Sequence, residues 1–378
     1  MIAQILHGAR PRKPEPGLGD WLETWHIDLP LLLMLLAVAA IGLFVQYSAS
    51  GHSMPAVWSQ VQRLLLGLVV MVAFAQAPPD LYRGFAPWIY CVTVVLLVLV
   101  LALGDHAKGA QRWLDLGVIR FQPSELMKLA MPMTVAAFLH HRRLPPSLLT
   151  IGIALLLIGI PSGLIMDQPD LGTALLIIAA GGFALFFAGL QWRWIFTALA
   201  AIGATAPILW ERLHDYQRQR ILTLLNPESD PLGAGYHITQ SKIAIGSGGL
   251  FGKGWLNGTQ AKLDFLPEAH TDFIFAVYAE EFGLLGVLLL LALYLAIVGR
   301  SLWIALRAQD TFQRLLGGAF AMTFFVYVFI NVGMVVGLLP VVGVPLPLLS
   351  YGGTSAVSLL ACFGILMSIQ THRKLLAQ

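Results

Sequence analysis

The chain has 378 residues, of which 57% are hydrophobic and only 11% charged, with a formal net charge of +3 and a mean hydropathy of +0.76. Soluble domains carry about 25% charged residues, so the composition excludes a soluble globule of this size. The small net charge gives no indication of nucleic-acid binding, and no nucleic-acid partner is expected.

Ten apolar segments are candidate membrane spans, because about 20 apolar residues cross the hydrocarbon core. They lie near 29–49, 59–78, 86–104, 122–140, 148–166, 170–189, 193–210, 272–298, 314–337 and 346–369. We therefore predict an all-α integral membrane protein of about ten transmembrane helices, with residues 1–378 forming a single polytopic domain. The fifth and sixth segments are close enough in sequence to form a tight hairpin.

The arginines and lysines of the short connections predict the orientation, because such residues accumulate in cytoplasmic loops. With a cytoplasmic N-terminal tail (about 1–28), the short outer loops hold only Lys108, Arg112 and Arg120. Both termini are then cytoplasmic, and one large extracytoplasmic loop covers about 211–270. It holds apolar residues as well as many glycines, and a disordered loop would lack the apolar residues, so we expect short amphipathic helices that lie on the outer surface and pack over the bundle.

The end of this loop carries a dense group of polar residues, and apolar sequence follows from Phe273. A carboxylate at such a border is partly desolvated, which favours its action as a base. We predict that Asp272 is the catalytic residue at the outer face. Other candidate substrate-binding residues of the loop are Gln240, Lys242, Glu268, His270 and Thr271.

The start of the fourth span has the sequence FQPSELMK, residues 121–128. Glu125 and Lys128 are three residues apart, so they share a helix face and can pair. They form either a self-contained ion pair or a cation that reaches back toward the outer surface to face a lipid phosphate. Candidate binding residues here are Gln122, Ser124, Glu125 and Lys128.

Other polar residues near the spans have two interpretations each. Arg63 either extends to the interface or binds substrate, and Trp113, beside Arg112, is either an interfacial aromatic residue or a platform for a sugar. Ser350 is a binding candidate in a Pro- and Gly-rich stretch that predicts a broken or re-entrant helix start, or else a close-packing motif of small residues.

Three acidic residues have structural expectations. Asp170 is expected to cap the sixth helix. Glu280 and Glu281 lie about 12 Å along the helix from Asp272, too far to share its reacting centre, and are expected to pair inside the bundle.

Together these residues resemble the SEDS family (shape, elongation, division and sporulation). The motifs are YSAS at 47–50, GAQRW at 109–113, FQPSE at 121–125, DLGT at 170–173, LPEAHTDFIF at 266–275 and PLLSYGG at 347–353. They occur in the family's order over nearly the whole chain. Residues 26–28 resemble the elongation member, RodA, more than the division member, FtsW.

The resemblance implies a peptidoglycan glycosyltransferase of the bacterial cytoplasmic (inner) membrane. It would polymerise lipid II, a disaccharide-pentapeptide on undecaprenyl diphosphate, into β-1,4 glycan during cell wall elongation and cell shape maintenance. Its implied partners are a class B penicillin-binding protein, which is a transpeptidase, and elongation-complex membrane proteins. Asp272 takes the position of the family's catalytic aspartate.

Several alternatives remain open from the sequence. The cation that stabilises the departing diphosphate is one of Arg63, Arg112, Lys128 and Lys242. A divalent ion (Mg²⁺ or Mn²⁺) could assist, but no ligand cluster requires one. The competing functions are a lipid II flippase, a division-type polymerase and a scaffold for a partner polymerase.

Overall fold

The computed structural model describes residues 25–107, 110–115, 120–213, 215–230, 233–262, 265 and 269–372. Each predicted span coincides with one long helix. These are α1 (Leu29–Ala49), α2 (Met54–Gln76), α3 (Pro79–Leu103), α4 (Pro123–His140), α5 (Leu148–Asp167), α6 (Leu171–Phe187), α7 (Trp192–Arg212), α11 (Ile274–Leu306), α12 (Thr311–Val335) and α13 (Thr354–Thr371). The shorter helices are α8 (Asp215–Leu225), α9 (Ala234–Gly248) and α10 (Thr259–Lys262).

The prediction of an all-α membrane protein is confirmed. Within the described ranges, 7 helices are long and apolar enough to cross a membrane, and α6 is a shorter apolar helix. The count of ten spans stays a prediction. Four boundaries differ by five residues or more. Helices α2 and α3 begin earlier than predicted, at Met54 and Pro79, and α11 continues to Leu306; α13 begins at Thr354 because residues 337–353 form a loop instead of a helix.

Local capping sets the starts of several helices. The Asp28 carboxylate accepts from Leu31 N at 3.0 Å at the start of α1, and Ser53 caps α2 through Ala56 N at 3.4 Å. Each cap satisfies a backbone N–H that has no partner within the helix.

A small antiparallel sheet that the sequence analysis did not predict joins α3 to α4. It consists of β1 (Asp105–Ala107), β2 (Ala110–Asp115) and β3 (Arg120–Phe121) in the order β1-β2-β3. Leu114 pairs with Phe121 across β2 and β3. The strands are too short to give a clear alternating pattern in the sequence.

The long loop contains short helices, as expected. Helix α9 packs against α11 and α12, and Ser241 Oγ donates to the Val335 carbonyl oxygen at 2.7 Å. Helix α7, which precedes the loop, is different, because most of its described side chains are exposed, including Trp192 and Phe196.

Long-range contacts define two ends of the bundle. At the Asp28 end, Arg300 pairs with Asp28 at 2.6 Å, and the His26 and His372 rings stack at 3.8 Å. These contacts join the start of α1 to the ends of α11 and α13. The opposite end holds the start of α11 and the 337–353 loop, and we refer to it as the Asp272 end.

Helix α11 is broken at Gly283, whose φ of 64° is outside the helical region. The backbone groups freed by the break pair with the glycine-rich turn before α10: Lys253 N donates to Glu280 O at 3.0 Å, and Leu284 N donates to Gly249 O at 2.9 Å. A Cβ on Gly283 would lie 2.2 Å from Gly252 N, so glycine is required here.

The same turn and the start of α10 supply several partners of the two buried glutamates. Glu280 accepts from Lys253 Nζ at 2.6 Å and from Thr259 N at 2.8 Å, whereas Glu281 accepts from Leu256 N at 3.2 Å. The expectation that both glutamates pair inside the bundle is therefore corrected for Glu280, whose partners lie in the long loop. Glu281 also accepts from Ser48 Oγ of α1, so it has one partner inside the bundle.

Candidate functional site

The 337–353 loop enters the bundle instead of covering it. Leu346, Leu348 and Leu349 are buried, and a Cβ on Gly42 of α1 would lie 2.6 Å from Leu348 O. Tyr294 of α11 donates to Pro347 O at 2.7 Å. Non-helical backbone at this depth requires such protein partners, which supports the broken helix start predicted from the sequence.

Asp272 lies where this loop meets α11 and α12. Asn331, which is fully buried in α12, donates through Nδ2 to Asp272 O at 3.0 Å and to Val344 O at 2.8 Å. Gly343 adopts φ 72°, and a Cβ there would lie 3.6 Å from Asp272 Oδ2. Asn331 was not among the residues predicted from the sequence, although an amide deep in an apolar helix is a signal of a buried polar contact.

Tyr351 connects the Asp272 segment with Arg63. Tyr351 N donates to His270 O at 2.9 Å, and the two rings lie 5.9 Å apart. The Arg63 guanidinium lies 4.3 Å from the Tyr351 ring centroid. Arg63 is thus held by an aromatic ring at the Asp272 end, where its charge is favourably placed over the π face.

An apolar cavity of about 660 Å³ lies between α2, α4 and α13, beside strands β2 and β3. Apolar side chains dominate its lining. Its polar and aromatic lining residues include Arg63, Trp113, Phe121, Glu125, Tyr351 and Ser358.

A second, polar cavity of about 630 Å³ also borders Tyr351 and lies between the α1–α2 connection and His270. Its lining includes Ser48, Ser50, His52 and Ser53. Tyr351 therefore borders both a space suited to a lipid chain and one suited to a polar ligand.

Glu125 and Lys128 form the ion pair that their spacing predicts, with Lys128 Nζ 2.7 Å from Glu125 Oε1. Ser358 Oγ donates to Glu125 Oε2 at 2.7 Å, and the ammonium lies 5.2 Å from the Tyr327 ring centroid. Both charged residues are buried, so the expectation that Lys128 reaches back to the surface is corrected. Its contact with a lipid phosphate stays a prediction.

Arg112 and Gln122 hold the hairpin between α5 and α6. Arg112 Nη2 donates to Pro169 O, and Gln122 Nε2 donates to Asp170 Oδ2 at 3.3 Å. Asp170 accepts from Thr173 N at 3.3 Å, which is the predicted cap. The Arg112 side chain is 31% exposed, so it retains access to a ligand.

Ser350 has a structural partner within the loop, and its binding role stays a prediction. Its hydroxyl is buried and accepts from Leu346 N at 2.7 Å. Gln60, another residue that sequence reasoning missed, donates to Ser350 O at 3.3 Å. Ser124 is also buried, and its hydroxyl has no partner among the described residues.

The remaining candidates lie around the loop. Lys242 is exposed and lies against Gly337, where a Cβ would be 2.7 Å from its Nζ, whereas Gln240 and Thr271 are partly buried. Glu268 lies outside the described residues. Across the described ranges, no group of three or more His, Cys, Asp or Glu residues is arranged to hold a metal ion.

Comparisons with known proteins agree over almost the whole chain. The model of the FtsW/RodA/SpoVE cell cycle proteins matches residues 27–375. The chain is 57% identical over 364 residues to the peptidoglycan glycosyltransferase MrdB of Escherichia coli K12, with 96% of this chain and 98% of that one covered. It is 38% identical over 361 residues to the probable peptidoglycan glycosyltransferase FtsW of Trichlorobacter lovleyi, with 92% and 94% covered.

Solved structures show the same fold. A chain from a peptidoglycan synthase complex that coordinates polymerization and crosslinking matches with a TM-score of 0.81 at 31% identity, over 92% of this chain and 99% of that one. The rod shape determining protein RodA of Thermus thermophilus matches with a TM-score of 0.70 at 30% identity, over 92% and 98%.

Proposed function

The chain belongs to the FtsW/RodA/SpoVE family of cell cycle proteins, and we propose that it polymerises lipid II with Asp272 as the general base. It is a peptidoglycan glycosyltransferase of the RodA type in a bacterial membrane. The observation that carries the role of Asp272 is its placement by Asn331 and Gly343 at the meeting point of α11, α12 and the 337–353 loop.

The proposed reaction is one displacement. The 4-hydroxyl oxygen of the acceptor sugar attacks the anomeric carbon of the donor, and its proton passes to the Asp272 carboxylate. The bond from that carbon to the diphosphate oxygen breaks, and undecaprenyl diphosphate leaves with the bonding electrons. Inversion of an α-linked donor gives a β-1,4 glycan.

Arg63 is the cation that the geometry favours for the diphosphate. It lines the apolar cavity, which can take the first part of the polyprenyl chain, and it is held over Tyr351. Cations at a departing diphosphate stabilise its developing charge. Arg112 is a second candidate. Lys128 is less suited because Glu125 already neutralises it.

We also propose an orientation and a partner. With both termini cytoplasmic, the arginines near the Asp28 end lie inside and Asp272 faces outward, where lipid II is polymerised. A class B penicillin-binding protein would supply the crosslinking step, and both proteins would act together with membrane proteins of the elongation complex. The likeness to a chain of a peptidoglycan synthase complex supports this assembly.

A gel assay for glycan polymer tests the proposal. Purified wild type, Asp272→Asn and Asp167→Asn would receive lipid II, with the transpeptidase of an added class B partner blocked. Asp167 is an exposed carboxylate at the same end of the bundle and serves as the matched control. We expect wild type and Asp167→Asn to make polymer and Asp272→Asn to make none. Equal polymer from Asp272→Asn would exclude this base, and lipid II flipping without polymer would favour a transporter.

A further inference from the structure

The reaction scheme above leaves the polar cavity without a role. We propose that this cavity is a carbohydrate subsite that holds neutral N-acetylhexosamine units of the glycan next to the reacting sugar. The proposal rests on the proposed function, because that function supplies the saccharide. The cavity and the apolar cavity share only Tyr351 among their lining residues.

The chemistry of the lining favours a neutral, hydroxyl-rich ligand. Its polar side chains are serine hydroxyls, two imidazoles and one phenol, and none of the lining residues that the structure describes is Lys, Arg, Asp or Glu. A diphosphate needs charged donors, which are found on the Arg63 side of Tyr351. Sugar hydroxyls and acetamide groups instead pair with neutral donors and acceptors.

The backbone of the α1–α2 connection is strained at this cavity. Gly51 and His52 both have positive φ, 64° and 65°. A non-glycine residue in this region costs about 1–3 kcal/mol, and such residues cluster at functional sites. Here the conformation leaves the His52 side chain exposed at the cavity.

A buried amide adds a second unusual cost near the cavity. Gln46 lies in the last turn of α1, and its carbonyl oxygen accepts from the backbone N–H of the lining residue Ser50 at 3.0 Å. Gln46 is fully buried, and neither its Nε2 nor its Oε1 has a partner among the described residues. An unpaired buried polar group costs about 1–3 kcal/mol.

Size and position fit the same ligand. About 630 Å³ is in the range of pockets for drug-sized ligands, a class that includes a disaccharide. The lining residue His270 is two residues from Asp272 in the chain. A saccharide in the polar cavity and a polyprenyl chain in the apolar cavity would therefore both border Tyr351, whose backbone N–H donates to the carbonyl oxygen of His270.

Binding of chitotetraose, a neutral β-1,4-linked probe without lipid or phosphate, tests the subsite. Full-length protein in nanodiscs would be titrated by calorimetry or saturation-transfer NMR, and the melting temperature of each variant would be measured first. Ser50→Phe fills the cavity. His52→Gly removes the imidazole but tolerates the positive φ. His141→Gly removes an exposed imidazole at the Asp28 end and is the matched control.

We expect wild type and His141→Gly to bind the probe with the same affinity. The affinity should fall by more than about tenfold in Ser50→Phe, and by about three- to tenfold in His52→Gly because one hydrogen bond to the probe is lost. No binding to wild type, or equal binding to His52→Gly, would overturn the subsite. A parallel polymer assay separates the two claims: polymer without probe binding refutes only the subsite, and probe binding without polymer refutes only the polymerase.

Discussion

Replacing Lys128 by Met tests the buried ion pair. The change leaves the Glu125 carboxylate buried and without its cation, a loss that costs about 3–5 kcal/mol in proteins. The Ser358 hydroxyl still donates to this carboxylate at 2.7 Å, so we expect the lower end, about 3 kcal/mol. Domains are stable by about 5–15 kcal/mol, so a clear fall in the melting temperature should follow.

The double variant Lys128→Met/Glu125→Gln is the control, because the neutral amide still pairs with Ser358 and leaves no buried charge. Melting of both variants in the same detergent should show the double variant recovering most of the lost stability. A single variant as stable as wild type, or a double variant no better than the single, would refute the reasoning.

Polymerisation by the same pair of variants addresses the open role of Lys128. If its ammonium faces the diphosphate, the double variant should fold but make little polymer. If it only neutralises Glu125, activity should return with stability, and the predicted phosphate contact would be wrong.

Three further predictions concern other parts of the chain. Gly283→Ala should destabilise the protein by more than about 1–2 kcal/mol, because Gly283 has a positive φ and its Cβ would contact Gly252. The control Gly299→Ala lies in the same helix, where a Cβ would meet no neighbouring atom, and it should be neutral or stabilising. Equal melting temperatures of the two variants would refute this. Burial, and then the charge of His372, lower the pKa of the His26 imidazole, so the stabilisation that is complete above about pH 6.5 should be lost as the pH falls through the lowered pKa. Melting temperatures measured from pH 7.5 to 5.5 should therefore depend less on pH in His26→Asn than in wild type. The same pH dependence in both proteins would contradict this. Asn331→Ala should lower kcat more than it raises KM for lipid II, because it releases the Asp272 backbone; a change in KM alone would contradict this.

The sequence was sufficient where the determining contacts are local. Ten apolar segments located the long helices, the Glu125–Lys128 spacing predicted their pairing, and Asp170 was correctly predicted as a cap. The ion pair and the cap each join residues three positions apart, within one helix or its cap. Their geometry is therefore set by helical periodicity.

The failures share a different cause. The apolar run of α11 continues through Gly283, so its hydropathy does not reveal a break that the turn at 249–254 stabilises from elsewhere in the chain. The partner of Glu280 and the burial of the Ser350 hydroxyl likewise depend on contacts between distant segments. Hydropathy also cannot distinguish α7, whose surface is mostly exposed, from helices packed on both sides.

The most direct test of the role of Asp272 measures binding and chemistry in the same preparation. Lipid II affinity and the initial rate of polymer formation would be compared for wild type, Asp272→Asn and Asp167→Asn. We expect Asp272→Asn to bind lipid II about as well as wild type but to polymerise it about 10²–10⁴-fold more slowly, because this factor is the usual contribution of a general base. A normal rate, or a rate loss explained by lost binding, would contradict it.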